Sequence, residues 1–115
     1  IHGGIVPTYR NVHSEFWAIA QGDTSNIGTT IIHLDAGIDT GAIALQDKIE
    51  YCENDTLAAV KEKNIRLAAK LIKKALELER EGQLPSIPQE KSQSGFYRTP
   101  KFKDWFKARR RIRIV

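Results

Sequence analysis

Two residues in this chain are suited by type and setting to acid/base chemistry. His2 lies in I-H-G-G-I-V-P-T-Y-R-N, next to two glycines, and Asp39 lies in the glycine-bounded run D-A-G-I-D-T-G. A carboxylate beside an imidazole favours the charged ring and fixes its orientation, which equips the pair to donate, accept or relay a proton. Each residue also has an ordinary reading. A lone histidine is commonly structural, and an aspartate in such a loop can close a turn on its own backbone. The chemistry therefore requires a fold that brings positions 2 and 39 together.

The elements that would do so are legible as patterns. Gly3 to Asn11 reads as an ordered loop, with Pro7 fixing one backbone angle. A short helix follows from about Val12, with Ser14 as N-cap, an apolar face of Phe16, Trp17, Ile19 and Ala20, and Gly22 as terminator. Ile27 to Leu34 is β-branched and bounded by turn residues, so it reads as a strand, and Ala42 to Glu50 reads as a second. The connection between them, Asp35 to Gly41, is too rich in acids and glycines for a minimal turn and has the character of a site loop.

Asn54, Asp55 and Thr56 offer caps for a long amphipathic helix. Leu57, Val60, Ala68, Leu71, Ile72, Ala75 and Leu76 recur at helical spacing as far as Gly82. The lysines on it, Lys61, Lys63, Lys70, Lys73 and Lys74, read as a solvated face. Leu84 to Ser94, with Pro85 and Pro88, reads as an extended linker, followed by the aromatic run G-F-Y-R-T-P-K-F-K-D-W-F and the basic end R-R-R-I-R-I-V.

Composition bounds the function. With 115 residues and 41% hydrophobic content there is material for one core. Eighteen Lys and Arg against fourteen Asp and Glu give +4, too modest an excess to argue for nucleic acid. Cys52 is the single cysteine, so neither an intrachain disulfide nor a cysteine metal cluster can form, and a reduced, cytoplasmic setting is expected. Cys52 has no basic sequence neighbour to activate it and reads as inert. His2, His13 and His33 match no common zinc spacing, so no metal is expected, and no apolar run is long enough for a membrane span. His33, in an apolar strand, reads as packing or bonding locally, and Trp17 and Trp105 read as packing anchors.

The motifs I-H-G-G-I-V-P-T-Y-R-N, F-W-A-I-A-Q-G-D and I-G-T-T-I-I-H-L-D-A-G-I-D-T-G-A-I-A-L-Q together resemble the 10-formyltetrahydrofolate-dependent formyltransferase family over the first half of the chain. The family includes glycinamide ribonucleotide, methionyl-tRNA and sugar-nucleotide N-formyltransferases. The resemblance implies an α/β fold, the C-terminal half of a Rossmann-like formyltransferase domain, with a mixed sheet and a long amphipathic helix. Residues 1–82 would be that portion of the catalytic domain, and residues 83–115 a linker and basic C-terminal extension.

His2 and Asp39 match two of the family's three catalytic positions. The third, an asparagine, would immediately precede Ile1, with about 80–100 further residues upstream. By the same resemblance the formyl donor is 10-formyltetrahydrofolate. Its pterin would be held by peptide groups of Asp35, Ala36, Gly37 and Ile38, with Gly37 and Gly41 allowing close approach. Gly3, Tyr9 and Arg10 would lie on the acceptor side, and Arg10 suits an anionic group such as phosphate.

The acceptor is expected to be a small primary amine, an amino sugar linked to a nucleotide, with a homodimer as a compatible assembly. A formyltetrahydrofolate hydrolase, a methionyl-tRNA formyltransferase and a non-catalytic basic module using Arg109 to Arg113 are the alternatives. Asn11 stands where many members carry glycine, and asparagine is the next residue to tolerate left-handed backbone. The coding sequence upstream of Ile1 is expected to specify Asn two positions before His2. Sequencing the longest natural transcript or gene checks this, and any other residue there contradicts the proposed trio.

Overall fold

The computed structural model describes residues 1–90 and 95–114; residues 91–94 of the expected linker and the final Val115 lie outside the described residues. Strand β1 is Arg10–Asn11, helix α1 Ser14–Ala20, strands β2 and β3 Gly28–Ile32 and Ile43–Lys48, helix α2 Leu57–Arg80, strand β4 Phe96–Tyr97 and helix α3 Phe102–Ala108.

The β-branched run G-T-T-I-I pairs antiparallel with β3, Gly28 opposite Lys48 and Ile32 opposite Ile43, with an irregularity between Ile31 and Ile32. His2 bridges antiparallel to Thr30, donating its backbone N–H to Thr30 O at 2.8 Å and accepting from Thr30 N at 2.9 Å. Ile87 bridges antiparallel to Ile43 on the outer side of β3. The sheet therefore runs from His2 through β2 and β3 to Ile87. A separate parallel pair joins β1 to β4, so both senses of pairing occur. This is a mixed α/β arrangement with a long helix.

Helix α2 starts where its cap chemistry places it, since Thr56 Oγ1 accepts from Ala59 N at 3.1 Å. Its buried face is Leu57, Val60, Asn64, Leu71 and Ala75. Ile72 and Leu76, expected on that face, are exposed, as is Ile65. The buried polar Asn64 takes a position that hydrophobic periodicity cannot flag. Its Oδ1 accepts from Thr29 Oγ1 at 2.7 Å, and its Nδ2 donates to Glu15 Oε1 at 2.9 Å and Gly3 O at 3.3 Å. One amide thus ties α2 to β2, to α1 and to the loop after His2, with its buried polar atoms satisfied.

Ser14, expected as the N-cap of α1, is its first helical residue. His13 precedes it in left-handed backbone, φ 57°, and the Ser14 hydroxyl turns back towards Tyr9 O at 3.5 Å.

The core gathers Tyr9, Phe16, Ala18, Ile19, Ile27, Leu57, Val60, Ala108 and Ile112. Trp17 packs half-buried against Phe16, ring centroids 5.2 Å apart, whereas Trp105 touches Phe16 at 4.5 Å with much of its surface exposed.

The described part of 83–115 returns to the body of the chain. Ala108 and Ile112 enter the core, Arg113 O accepts from Leu57 N at the start of α2, and Arg111 donates to Ala20 O at the end of α1. These anchors are single residues among polar neighbours, too sparse to register as a pattern. No helix among the described residues is long and apolar enough to cross a membrane.

Helix α3 is held at its start by Asp104. The carboxylate pairs with Arg98 at 2.6 Å and accepts from Lys101 N at 2.8 Å, and these bonds hold its pKa down at about 2. A depressed acid stabilises the fold fully above its unfolded value, near 3.8, and that contribution is lost as pH falls through about 2. The stability difference between wild type and Asp104→Asn is therefore expected to be nearly constant above about pH 4 and to shrink steadily as pH falls towards and through about 2. Urea midpoints across that range measure it, and a difference undiminished at pH 2 contradicts the assignment.

Candidate active site

The fold brings positions 2 and 39 together. His2, held in the sheet by its bridge to Thr30, is 8% exposed, and its Nδ1 lies 3.4 Å from Asp39 Oδ2. Its Nε2 meets Tyr9 O at 2.7 Å. Both ring nitrogens face oxygen acceptors, an arrangement in which an imidazolium donates at each. Asp39 Oδ2 also accepts the backbone N–H of Asn11 at 2.8 Å. The aspartate does not close a turn on itself. Asp35 does so instead: its Oδ1 accepts from Gly37 N at 2.8 Å and Thr40 Oγ1 at 2.6 Å, and these bonds, the hydroxyl first, hold its pKa below the ordinary carboxylate range.

The loop from Ile5 to Asn11 is shaped by polar ties to the sheet. Thr30 Oγ1 donates to Gly4 O at 2.7 Å, and Gln46 Nε2 donates to Val6 O and Thr30 Oγ1, both at 3.0 Å. The Val6–Pro7 peptide is cis. Asn11 takes left-handed backbone, φ 75°, as its tolerance of that region leads one to expect, and its side chain donates to Tyr97 O at 2.8 Å.

The second loop closes tightly on itself. A Cβ on Gly41 would lie 1.5 Å from His33 O, and one on Gly37 would lie 2.0 Å from Thr40 Oγ1. The two glycines expected to admit a flat ligand therefore answer first to the protein itself, Gly37 to the Thr40 side chain and Gly41 to the His33 backbone. Asp39, also left-handed at φ 55°, completes the bend. His33 Nε2 meets Pro85 O at 2.8 Å, so it bonds to a segment distant in sequence.

The remaining expected site residues divide. Asp35, Ala36, Gly37 and Ile38 form an exposed stretch beside Asp39, with the Gly37 N–H already engaged by Asp35. Gly3 is exposed, one residue from His2. Arg10 is next to Asn11, and its Nε and one terminal nitrogen donate to Gln89 Oε1 at 3.2 and 2.8 Å. The Tyr9 side chain does not reach the site. It is 1% exposed, stacks on Tyr97 and donates its hydroxyl to Asp23 Oδ2 at 2.7 Å. Burial and then that carboxylate push its phenol well above the ordinary range. Only its carbonyl serves His2.

Gln89 was not visible as a site residue, because it sits in a proline-bounded polar stretch without period or motif. Away from the site, exposed Cys52 has Lys63 Nζ 3.6 Å from its sulfur, a basic neighbour supplied by the helix rather than by the adjoining sequence.

An imidazole–carboxylate pair at the meeting of two loops, on an α/β scaffold, is an arrangement chemically able to donate, accept or relay a proton. A family model described as formyl transferase matches residues 1–76, and the chain belongs to that family.

A methionyl-tRNA formyltransferase of Methylacidiphilum infernorum is 35% identical over 116 residues, covering 97% of this chain and 36% of that protein. Another, of Pelotomaculum thermopropionicum, is 33% identical over 90 residues, covering 78% of this chain and 28% of its own length. The formyltransferase PseJ of Anoxybacillus kamchatkensis, solved with UDP-4,6-dideoxy-4-formamido-L-AltNAc and tetrahydrofolate, superposes with a TM-score of 0.76. It is 31% identical, covering 92% of this chain and 53% of that one. WlaRD, a sugar 3N-formyl transferase solved in the presence of dTDP and 5-N-formyl-THF, shares the fold at a TM-score of 0.78 and 19% identity, covering 99% of this chain and 48% of that one. The chain thus spans about a third of these curated relatives and about half of these solved structures.

Gly41→Ala is expected to open the loop at His33 and to cost about 1–3 kcal/mol of stability, as forced overpacking does. The denaturant midpoint of the polypeptide that carries this chain measures the loss, and an unchanged midpoint contradicts the close approach.

Proposed function

We propose that the polypeptide containing this chain transfers a formyl group from 10-formyltetrahydrofolate to a primary amine of an amino sugar linked to a nucleotide. The observation that carries the reading is the contact of His2 with Asp39 across two loops that match the family motifs, supported by the likeness to PseJ with its bound UDP-sugar and tetrahydrofolate.

The acceptor amine attacks the formyl carbon, and negative charge develops on the former carbonyl oxygen. The C–N bond to the folate then breaks, the formamide is left on the acceptor, and the amine proton is passed to the departing nitrogen directly or through water. Nε2 of His2 is spent on the Tyr9 carbonyl, so the proton that serves the reaction is the one at Nδ1, on the Asp39 side. The 3.4 Å separation there is an ion-pair distance rather than a tight hydrogen bond, which lets an arriving oxyanion share that proton. Asp39 keeps the ring oriented. The exposed Asp35–Ile38 stretch, with Ile38 itself exposed, is the proposed seat of the pterin, and Arg10 the proposed contact for an acceptor phosphate.

A second reading, methionyl-tRNA as acceptor, is favoured by the 35% identity to the Methylacidiphilum infernorum enzyme over nearly the whole chain. An assay of the longest natural polypeptide with 10-formyltetrahydrofolate against UDP- and dTDP-linked amino sugars and charged initiator tRNA separates the two. In the preferred assay His2→Ala and Asp39→Ala are each expected to lower kcat by about 100-fold or more, the range for loss of a general acid/base or oxyanion donor. Transfer retained in both variants would sink the mechanism, and transfer to tRNA alone would replace the acceptor.

A further inference from the structure

We propose that Gln89 is a positioning residue for the reaction, an amide clasp that fixes the backbone of Asp39 and couples it to Arg10. The inference rests on the reading of His2 and Asp39 as the reacting pair. Gln89 lies beyond the residues matched by the family model, and the clasp follows from its contacts.

Its side-chain Nε2 donates to Asp39 O at 2.8 Å and to Gly41 O at 2.7 Å, using both of its protons on the loop that carries the carboxylate. Its Oε1 accepts from Arg10 at 3.2 and 2.8 Å. The segment bearing Gln89 is itself fixed. Pro85 O meets His33, at the start of the same loop, and Ile87 exchanges two backbone hydrogen bonds with Ile43 at its end. The clasp therefore stands on the elements that frame the loop.

What it holds is a non-glycine residue in left-handed backbone, φ 55°, a region that aspartate enters more readily than most residues but less readily than glycine, so a clasp on its carbonyl helps keep it there. Turning the Asp39 carbonyl away from Gln89 rotates the same residue whose carboxylate must reach His2 and the Asn11 N–H. The Arg10 contact adds a second connection, because a group that engages the guanidinium pulls on the amide that holds the loop. Only a side chain with an acceptor on one side and two donors on the other meets this pattern, and a carboxamide has that inventory.

The test uses Gln89→Ala and Gln89→Glu in the longest natural polypeptide carrying this chain, with His2→Ala as reference. Misplacing a reacting group through its support costs about 10- to 100-fold. Gln89→Ala is therefore expected to lower kcat by at least about tenfold with the melting temperature unchanged. Gln89→Glu keeps the acceptor for Arg10 but sets carboxylate oxygen against two carbonyls. Its kcat relative to wild type is expected to be low at neutral pH and to rise on acidification, as the introduced carboxyl gains a proton to donate. If Gln89→Ala also destabilises the fold, this pH-dependent ratio decides. Wild-type kcat in Gln89→Ala, or a ratio for Gln89→Glu independent of pH, overturns the clasp while leaving the His2 and Asp39 reading intact. Retained transfer in His2→Ala overturns that reading instead.

Discussion

One carboxylate oxygen joins the two halves of the site. Asp39 Oδ2 accepts the Asn11 N–H and faces His2 Nδ1, so the loop that begins at His2 is closed, at its far end, by the side chain that partners its imidazole. The contact demands unusual backbone on both sides, and both Asn11 and Asp39 supply it in the left-handed region. Asparagine and aspartate are the residues that enter this region most readily after glycine, because a short polar side chain can bond locally. The strain at the junction is thus modest, and it is carried by residues that also provide the hydrogen bonds.

The scaffold supports this junction mainly through polar side chains bonded to backbone. Thr30 and Gln46 hold the carbonyls of Gly4 and Val6, Asn64 reaches Gly3, and Gln89 holds Asp39 and Gly41. Apolar packing fixes helices and sheet to one another, but it is not directional enough to aim a loop carbonyl. Side-chain amides and hydroxyls are directional, and a buried one without partners is costly, so each tolerates few arrangements. The loop after His2 adds apolar anchors of its own in buried Ile5, Val6 and Tyr9, whereas Asp35 to Ile38 lie exposed and are framed by polar bonds.

That division explains what the sequence discloses. The strands and the long helix appear in hydrophobic period and cap chemistry, and Thr56 caps α2 as its residue type implies. His2, Asp39 and Asn11 were legible because their residue types stand in glycine-rich motifs. Asn64 and Gln89 were not, since a polar residue on a helix face or in a proline-bounded stretch reads as solvated until its partners are known. Tyr9 differs in the opposite direction: its place in a motif points to the site, while the structure buries its ring in the core and turns its carbonyl to His2. The basic end behaves likewise. Arg111 and Arg113 donate to Ala20 O and Glu53 O, and Arg109 lies 4.0 Å from the Phe106 ring centroid, so much of that charge is engaged in folding.

The gradient of exposure across the site has a chemical consequence. His2 is buried at 8%, the Asp39 side chain is 21% exposed, and Asp35 to Ile38 lie open. A polar contact whose imidazole end is withdrawn from water interacts more strongly than one in bulk solvent, because the effective dielectric is lower. The accessible edge of the pair is the Asp39 side, where the loop is open and the Nδ1 edge of the ring faces the carboxylate. The opposite edge is closed by the Tyr9 carbonyl, whose own ring is locked in the core. The same tyrosine whose ring is held in the core therefore leaves only the Nδ1 edge of His2 facing Asp39, and this is how the core reaches the imidazole.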